Sequence, residues 1–448
     1  MKKSKGSKGI QATQKVLENC FCGAIDKDSL DAYLESLSSD PMNVLVLAPD
    51  LHDGHRIELP YSGSGGELDA EIQSIKSASP VSALFETDKP FGGLLKKQFA
   101  PEEKAVVKRL ILKTCWGGST QKIQNSFIAL QKDVTKTNHK FGLLVVAAST
   151  ADEIKKAITT AETLVKSESS NRILICVMSY TLPQETIDQY YEFMANASLA
   201  QKSNKTVNAN NYTAQADEII STWVPTALGK GMTVIYDGKT SSTYMNKGVL
   251  STFEKAVFKM FPNAPENIIK KVTLYKSVSV APAYYAVSRT TLQTKSAAND
   301  KQKNFNQQWQ DCVDILRDND ENVWDAASVE EIIAMSETKI GRAMSALCSH
   351  LNKQLTNGTV FLPDLWEGIQ SELGYYDTGV CCYLLGFVFR FYKGKFTWHD
   401  GNNAHKLDED TIPTMIVAMC SGKGAGMKLS SESDVEKRFK TLDRKSVV

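Results

Sequence analysis

No stretch of this 448-residue chain reaches 18 uninterrupted apolar residues, so no membrane-spanning helix is expected. Neither sign of charge is in excess: Lys+Arg 52 stand against Asp+Glu 51, a formal net charge of +1. Attraction of the whole molecule to nucleic acid or anionic lipid is therefore not indicated, and any such binding requires a local patch. The basic start, Met1-Lys-Lys-Ser-Lys-Gly-Ser-Lys-Gly9, runs into Ile10-Gln-Ala-Thr-Gln without an apolar h-region, which is not the pattern of a secretory signal. Wholesale disorder is excluded as well, because 42% of the residues are hydrophobic and 23% charged. At roughly 150 residues per domain the length suggests about three domains.

Cysteine chemistry is also thin. The nine cysteines form no C-x-x-C, and Cys20-x-Cys22 is too tight for the usual zinc knuckle and has no second pair at matching distance. An odd count, placed mostly in apolar runs such as Ile173-Leu-Ile-Cys-Val-Met178, reads as buried thiols in a reducing compartment, with the cytoplasm as the expected location.

Phosphate loops and nucleophile motifs are missing. Gly238-Lys239-Thr240 ends like a Walker A loop, but Thr233 stands where the leading glycine is required. Ser421-Gly-Lys-Gly-Ala-Gly426 follows a helical pattern instead of preceding one, and the run ending at Met178 has no terminal acid to hold magnesium. No Gly-x-Ser-x-Gly occurs; Tyr61-Ser-Gly-Ser-Gly-Gly66 reads as a loop. Asp364, Glu367 and Glu372 lie on a helix that also buries Leu365 and Ile369, which makes them a solvated face rather than an acid/base pair. Neither a catalytic residue nor a cofactor is assigned.

What is present is an architecture. Asn43-Val-Leu-Val-Leu-Ala48, Phe141-Gly-Leu-Leu-Val-Val-Ala-Ala148 and Ile173–Met178 are short continuous apolar runs, the pattern of strands covered on both faces. Between the last two, Thr150 to Val165 places Ile154, Ala157, Ile158, Ala161 and Leu164 on one helical face. Strand, helix, strand is a βαβ unit and predicts parallel neighbours. Residues 16–180 are therefore expected to form an α/β, parallel-sheet N-terminal domain behind a basic tail, 1–15. Residues 181–294 read as mixed α+β, with a helix after Leu182-Pro183, a polar interruption at Ser203–Thr213, a second helix from Ala214 to Leu228, and an Asp237-Gly238 hairpin. An amphipathic helix from Val249 to Phe261 follows, and residues 295–307 read as a linker. Residues 308–420 read as mostly helical and winged-helix-like, with helices at Trp309–Leu316, Val329–Leu355, Leu362–Leu373 and Val380–Arg390, a strand pair and a last helix. A Gly/Ser/Lys-rich tail, 421–448, is expected to fray.

Two clusters carry candidate chemistry. Asp50-Leu-His-Asp-Gly-His55 sets Asp50, His52, Asp53 and His55 just past an expected strand end, where two imidazoles and two carboxylates can hold zinc or manganese. The competing reading is a solvated Asp53-Gly54 turn. Arg390, Lys393, Lys395, Trp398 and His399 form a basic-aromatic stretch on the expected wing. Cations neutralise phosphate there and an aromatic stacks on a base, or the stretch meets a protein partner; against both, alternation of Phe396 and Trp398 with Thr397 is the pattern of a strand packing one face onto the preceding helix, and this reading weighs most.

Two segments together resemble a known family. One comprises Arg172-Ile-Leu-Ile-Cys-Val-Met-Ser179, the helical stretch to Gln201, the hairpin Thr233-Val-Ile-Tyr-Asp-Gly-Lys-Thr240 and the helix ending Val257-Phe-Lys-Met-Phe-Pro-Asn-Ala-Pro265. The other runs from Gly374-Tyr-Tyr-Asp-Thr-Gly-Val-Cys-Cys-Tyr-Leu-Leu-Gly-Phe-Val-Phe-Arg-Phe-Tyr392 to Phe396-Thr-Trp-His-Asp-Gly-Asn402. They resemble regions downstream of the motor in large P-loop ATPases of BREX-type phage-defence systems, the BrxC/PglY kind. The resemblance implies a motor-less C-terminal region, working beside a P-loop ATPase or other defence-complex subunits as a non-enzymatic assembly or DNA-engaging module. It carries over no Walker motif and no catalytic residue. The alternative from a different class is a metal-dependent hydrolase built on the Asp50/His52/Asp53/His55 cluster.

Overall fold

A computed structural model describes residues 63, 65–86, 88–99, 108–167, 172–243, 245–269, 277–288, 310–317, 321–356, 358–401 and 403–431. In chain order the elements begin with α1 Gly65–Ala78, α2 Val81–Leu84, α3 Pro90–Phe99, β1 Leu110–Trp116, α4 Thr120–Thr135, β2 Phe141–Ala147, α5 Ala151–Ser167 and β3 Ile173–Met178. Next come α6 Gln184–Lys202, α7 Thr206–Lys230, β4 Met232–Tyr236, β5 Lys239–Thr243, α8 Met245–Met260, the single turn α9 Pro265–Ile268, and α10 Val280–Ser288. After a helical stretch at 310–316 follow α11 Val329–Ile333, α12 Lys339–Leu355, β6 Thr359–Phe361, α13 Leu362–Leu373 and α14 Gly379–Phe389. The last elements are β7 Phe396–Asp400, β8 Asn403–Lys406, α15 Thr411–Cys420 and β9 Lys428–Ser431. No helix among the described residues is long and apolar enough to cross a membrane.

The chain divides into two compact units, Met1–Leu94 with Thr181–Thr226, and Leu95–Tyr180 with Ala227–Val448. The first is helical and centred on aromatics. Phe85 stacks on Phe91 at 4.8 Å between ring centroids, and Trp223 meets Phe85 edge-on at 5.8 Å. Burial of the Trp223 ring leaves its N–H needing an acceptor, and Nε1 donates to the Thr181 carbonyl at 3.0 Å. Helix α7 starts inside the polar Ser203–Thr213 stretch where an interruption was expected, because Asn208 and Ala209 are buried there. Packing of one face outweighs the weak helix propensity of Asn and Thr.

The second unit contains a five-stranded sheet in the order β1-β2-β3-β4-β5. The βαβ unit read from residues 141–178 is present: β2 and β3 pair in parallel around α5, and both strands are buried along their whole length. The sheet is mixed rather than wholly parallel. Asp237 and Gly238 take φ of 53° and 70°, a tight reversal that turns β4 back into β5, and β4 joins β3 antiparallel. The hairpin thus belongs to the same sheet as the βαβ unit, although the chain between them, Thr181–Thr226, belongs to the first unit. The edge strand β1 was not foreseen because Lys113 and Thr114 break its apolar pattern; Lys113 Nζ reaches Asp133 on α4 at 2.7 Å. The run Asn43–Ala48 lies outside the described residues.

Helices α4 and α5 cover one face of this sheet, where Ile123, Phe127, Leu130, Ala157 and Ala161 pack with Leu144, Val146, Ile175 and Val177. Strand order runs 1-2-3-4-5 without reversal, so the parallel part has no switch point of the sort at which doubly wound sheets open a ligand crevice.

The remainder of the unit is built around α14. All 11 of its residues are buried, with Thr378 capping the first turn through a hydrogen bond from the Cys381 amide. A helix apolar on every side must be enclosed. The seven described cysteines are all free thiols and all buried. The expected single helix Val329–Leu355 is broken after Ile333. Glu321 accepts the amides of Ser336, Glu337 and Thr338 at 2.8 to 3.0 Å, and Thr338 then caps α12. The expected fraying from residue 421 does not occur as far as 431: Leu429 is buried and β9 pairs with both β6 and β7.

One buried cation ties the sheet to the helical part. Arg109, just before β1 and fully buried, donates from Nε and Nη2 to the two Glu266 oxygens of α9 at 2.6 and 2.8 Å. It also donates from Nη2 to the Gly374 carbonyl and from Nη1 to the His139 carbonyl, and its guanidinium lies 4.4 Å from the Tyr376 ring centroid. Gly374 has φ of 70°, and a Cβ there would come within 2.4 Å of the Phe261 ring, so only glycine brings that carbonyl to the arginine. His139 stacks on Tyr376 at 5.6 Å with 8° between the planes.

Removing one member of a buried, hydrogen-bonded pair strands the other charge. Arg109→Met is expected to cost about 3–5 kcal/mol by urea unfolding, with Arg109→Met/Glu266→Leu recovering a large part of it. Burial, then the charges of Arg109, Lys140 and Arg172, push the His139 imidazole down to about 3. The unfolded chain takes up this proton near about pH 6.5, so stability present above that pH is lost as pH falls toward the folded value, at about 1.4 kcal/mol per unit. His139→Gln should flatten the decline in the urea midpoint between pH 6.5 and 4 relative to the unsubstituted chain; an unchanged slope would assign it to other groups.

Candidate nucleic-acid interface

The C-terminal basic-aromatic stretch lies in an antiparallel sheet of order β6-β9-β7-β8. Strand residues alternate between faces, and directly paired residues share one. The inner face is fixed by Val360, Leu429, Phe396 and Trp398, all buried. The outer face then follows from register. One row across the strands is Phe361, Lys428, His399, Ala404; the next is Thr359, Ser430, Thr397, Lys406.

The five residues singled out by sequence separate in space. Arg390 is a packing residue: Nη2 donates to the Trp324 carbonyl at 2.7 Å, and the guanidinium lies 4.0 Å from the Phe387 ring centroid. Lys393 pairs with Glu409 at 2.6 Å. Lys395 is exposed, with Nζ 6.0 Å from the centre of the Tyr392 ring. Trp398 is 5% exposed, sits on the inner face 5.1 Å from the His405 ring, and its Nε1 has no hydrogen-bond partner among the described residues. His399 alone of the five is placed on the outer face by strand register, its Nε2 2.7 Å from Ser430 Oγ.

In exchange, register adds Phe361, 50% exposed, with Lys428 and Lys406. None was legible as a site residue. Lys428 stood in the expected tail, Phe361 at a helix start, and they meet only because β9 inserts between β6 and β7. Of the eight outer positions two are lysine and one histidine, and none is a carboxylate. Asp400, the acid of β7, alternates to the inner side opposite Asn403.

Among the described residues no three His, Cys, Asp or Glu side chains gather as metal ligands. Asp50, His52, Asp53 and His55 lie outside the described residues. Comparison with protein-family models, with curated proteins and with solved structures gave no match.

The inner and outer faces separate folding from surface chemistry. Trp398→Ala should cost about 3–5 kcal/mol in thermal or urea unfolding, while Lys395→Ala stays within about 0.5 kcal/mol. Equal effects of the two would mean that the face assignment is wrong.

Proposed function

We propose that this chain is a non-enzymatic assembly module of a bacterial phage-defence complex of the BREX type, cytoplasmic, working beside a P-loop ATPase and engaging nucleic acid through its C-terminal sheet. The ATPase partnership rests on the family resemblance of the two quoted segments. The cytoplasmic location is supported by seven free, buried thiols. The nucleic-acid part rests on one observation: a sheet face whose eight outer positions hold two lysines, a histidine and no acid, with Phe361, Ala404 and Lys406 exposed, on a molecule whose net charge is only +1. A local patch of one sign is what such binding requires when the whole molecule supplies no field.

The winged-helix-like reading of residues 308–420 is supported by the succession α12, β6, α13, α14, β7, β8, with β7–β8 as the wing. Groove-reading modules of the helix-turn-helix kind insert their second helix into DNA. Here α14, the second of the adjacent helices, is enclosed by protein, so the contact falls to the sheet and wing.

Lys406→Glu/Lys428→Glu should lower affinity for a mixed-sequence DNA about tenfold or more and make the logarithmic salt slope shallower by roughly two counterions, read by fluorescence anisotropy at several salt concentrations. Affinity capture from the host, with and without nuclease, tests the partnership: a large P-loop ATPase or methyltransferase retained after nuclease supports it. A nuclease-resistant monomer without partner or DNA overturns the proposal.

A further inference from the structure

We infer that the outer face of the β6-β9-β7-β8 sheet takes single-stranded nucleic acid, one base stacking on Phe361 while Lys428 and Lys406 meet phosphates. The inference rests on the nucleic-acid reading above and deepens it by naming the substrate class.

Phe361 carries the argument. It is the most exposed large hydrophobic residue described, 50% accessible, at the end of β6. Its neighbour across the sheet is Lys428, followed in the same row by His399. With strands about 4.8 Å apart, ring, cation and imidazole stand in line over roughly 10 Å. Lys406 lies in the next row with Thr397, whose hydroxyl suits a phosphate or sugar oxygen. An exposed aromatic ring beside cations on a sheet face is the arrangement that binds unstacked bases and tracks a backbone; here Phe361 and Lys406 are exposed, Lys428 is half-buried, and Ser430 between them is buried.

The duplex alternative fits less well. Bases inside a duplex are already stacked and offer no free face to Phe361. A major groove admits a helix or a two-stranded ribbon, but α14 is buried and β7 is paired on both sides, to β8 and to β9.

The test uses the full chain and a fluorescein-labelled 15-nucleotide single strand, as DNA and as RNA, beside the duplex of the same sequence. Single strands should bind at least tenfold more tightly than the duplex. Phe361→Ala should weaken single-strand binding about 5- to 150-fold without changing the salt slope, and Phe361→Tyr should restore it. Lys428→Gln should make the salt slope shallower by roughly 0.7. Since Phe361 is exposed, both variants should keep the parent's melting temperature, which confirms that loss of binding is not loss of fold. Equal or tighter duplex binding, or an unaffected Phe361→Ala, would overturn this inference and leave the broader nucleic-acid reading standing. Failure of all three nucleic acids to bind would overturn both.

Discussion

The interaction on which the second unit depends is the buried Arg109–Glu266 pair. A guanidinium without solvent is costly unless every donor direction is met, and here a carboxylate, two carbonyls and an aromatic face meet it. Those partners come from four places: α9, the loop before β2, and two positions in the turn between α13 and α14. Once Arg109 is dehydrated, the start of the sheet and the base of α14 can sit in only one relation. The planar fork also explains why lysine would be a poor substitute, since it offers one point charge instead of two parallel hydrogen bonds.

That constraint leads outward to the candidate interface. With one end of α14 held at Tyr376 and its whole length enclosed, the chain emerges at Arg390, which is itself pinned to the Trp324 carbonyl. Strand β7 therefore starts from a fixed point, and Phe396 and Trp398 must turn inward to complete the core. The positions on the opposite side are exposed or half-buried, Ser430 apart. The charge of the outer face is a consequence of this alternation, because the one acid within the four strands, Asp400, falls on the inner side.

Hydrophobic run and turn chemistry were legible directly. Phe141–Ala147, Ala151–Ser167 and Ile173–Met178 declare a βαβ unit because burial on two faces demands unbroken apolar residues, and Asp237-Gly238 declares a hairpin because both residues tolerate positive φ. Less was legible where a distant side chain rewrote a local preference. Glu321 ends one helix and starts another by taking three amides, and a carboxylate that far upstream leaves no periodic trace.

By itself the sequence determined the βαβ unit, the Asp237-Gly238 hairpin, the buried thiols, the absence of long apolar spans and the need for a local patch if a polyanion is to bind. Tertiary structure decided which basic and aromatic residues stand together. Proximity along the chain grouped Arg390, Lys393, Lys395, Trp398 and His399; pairing across four strands split them and joined His399 to Lys428 and Phe361. The reason is the two-residue period of the pleat. Neighbours in a strand face opposite ways, whereas residues remote in sequence but opposed in register share a surface.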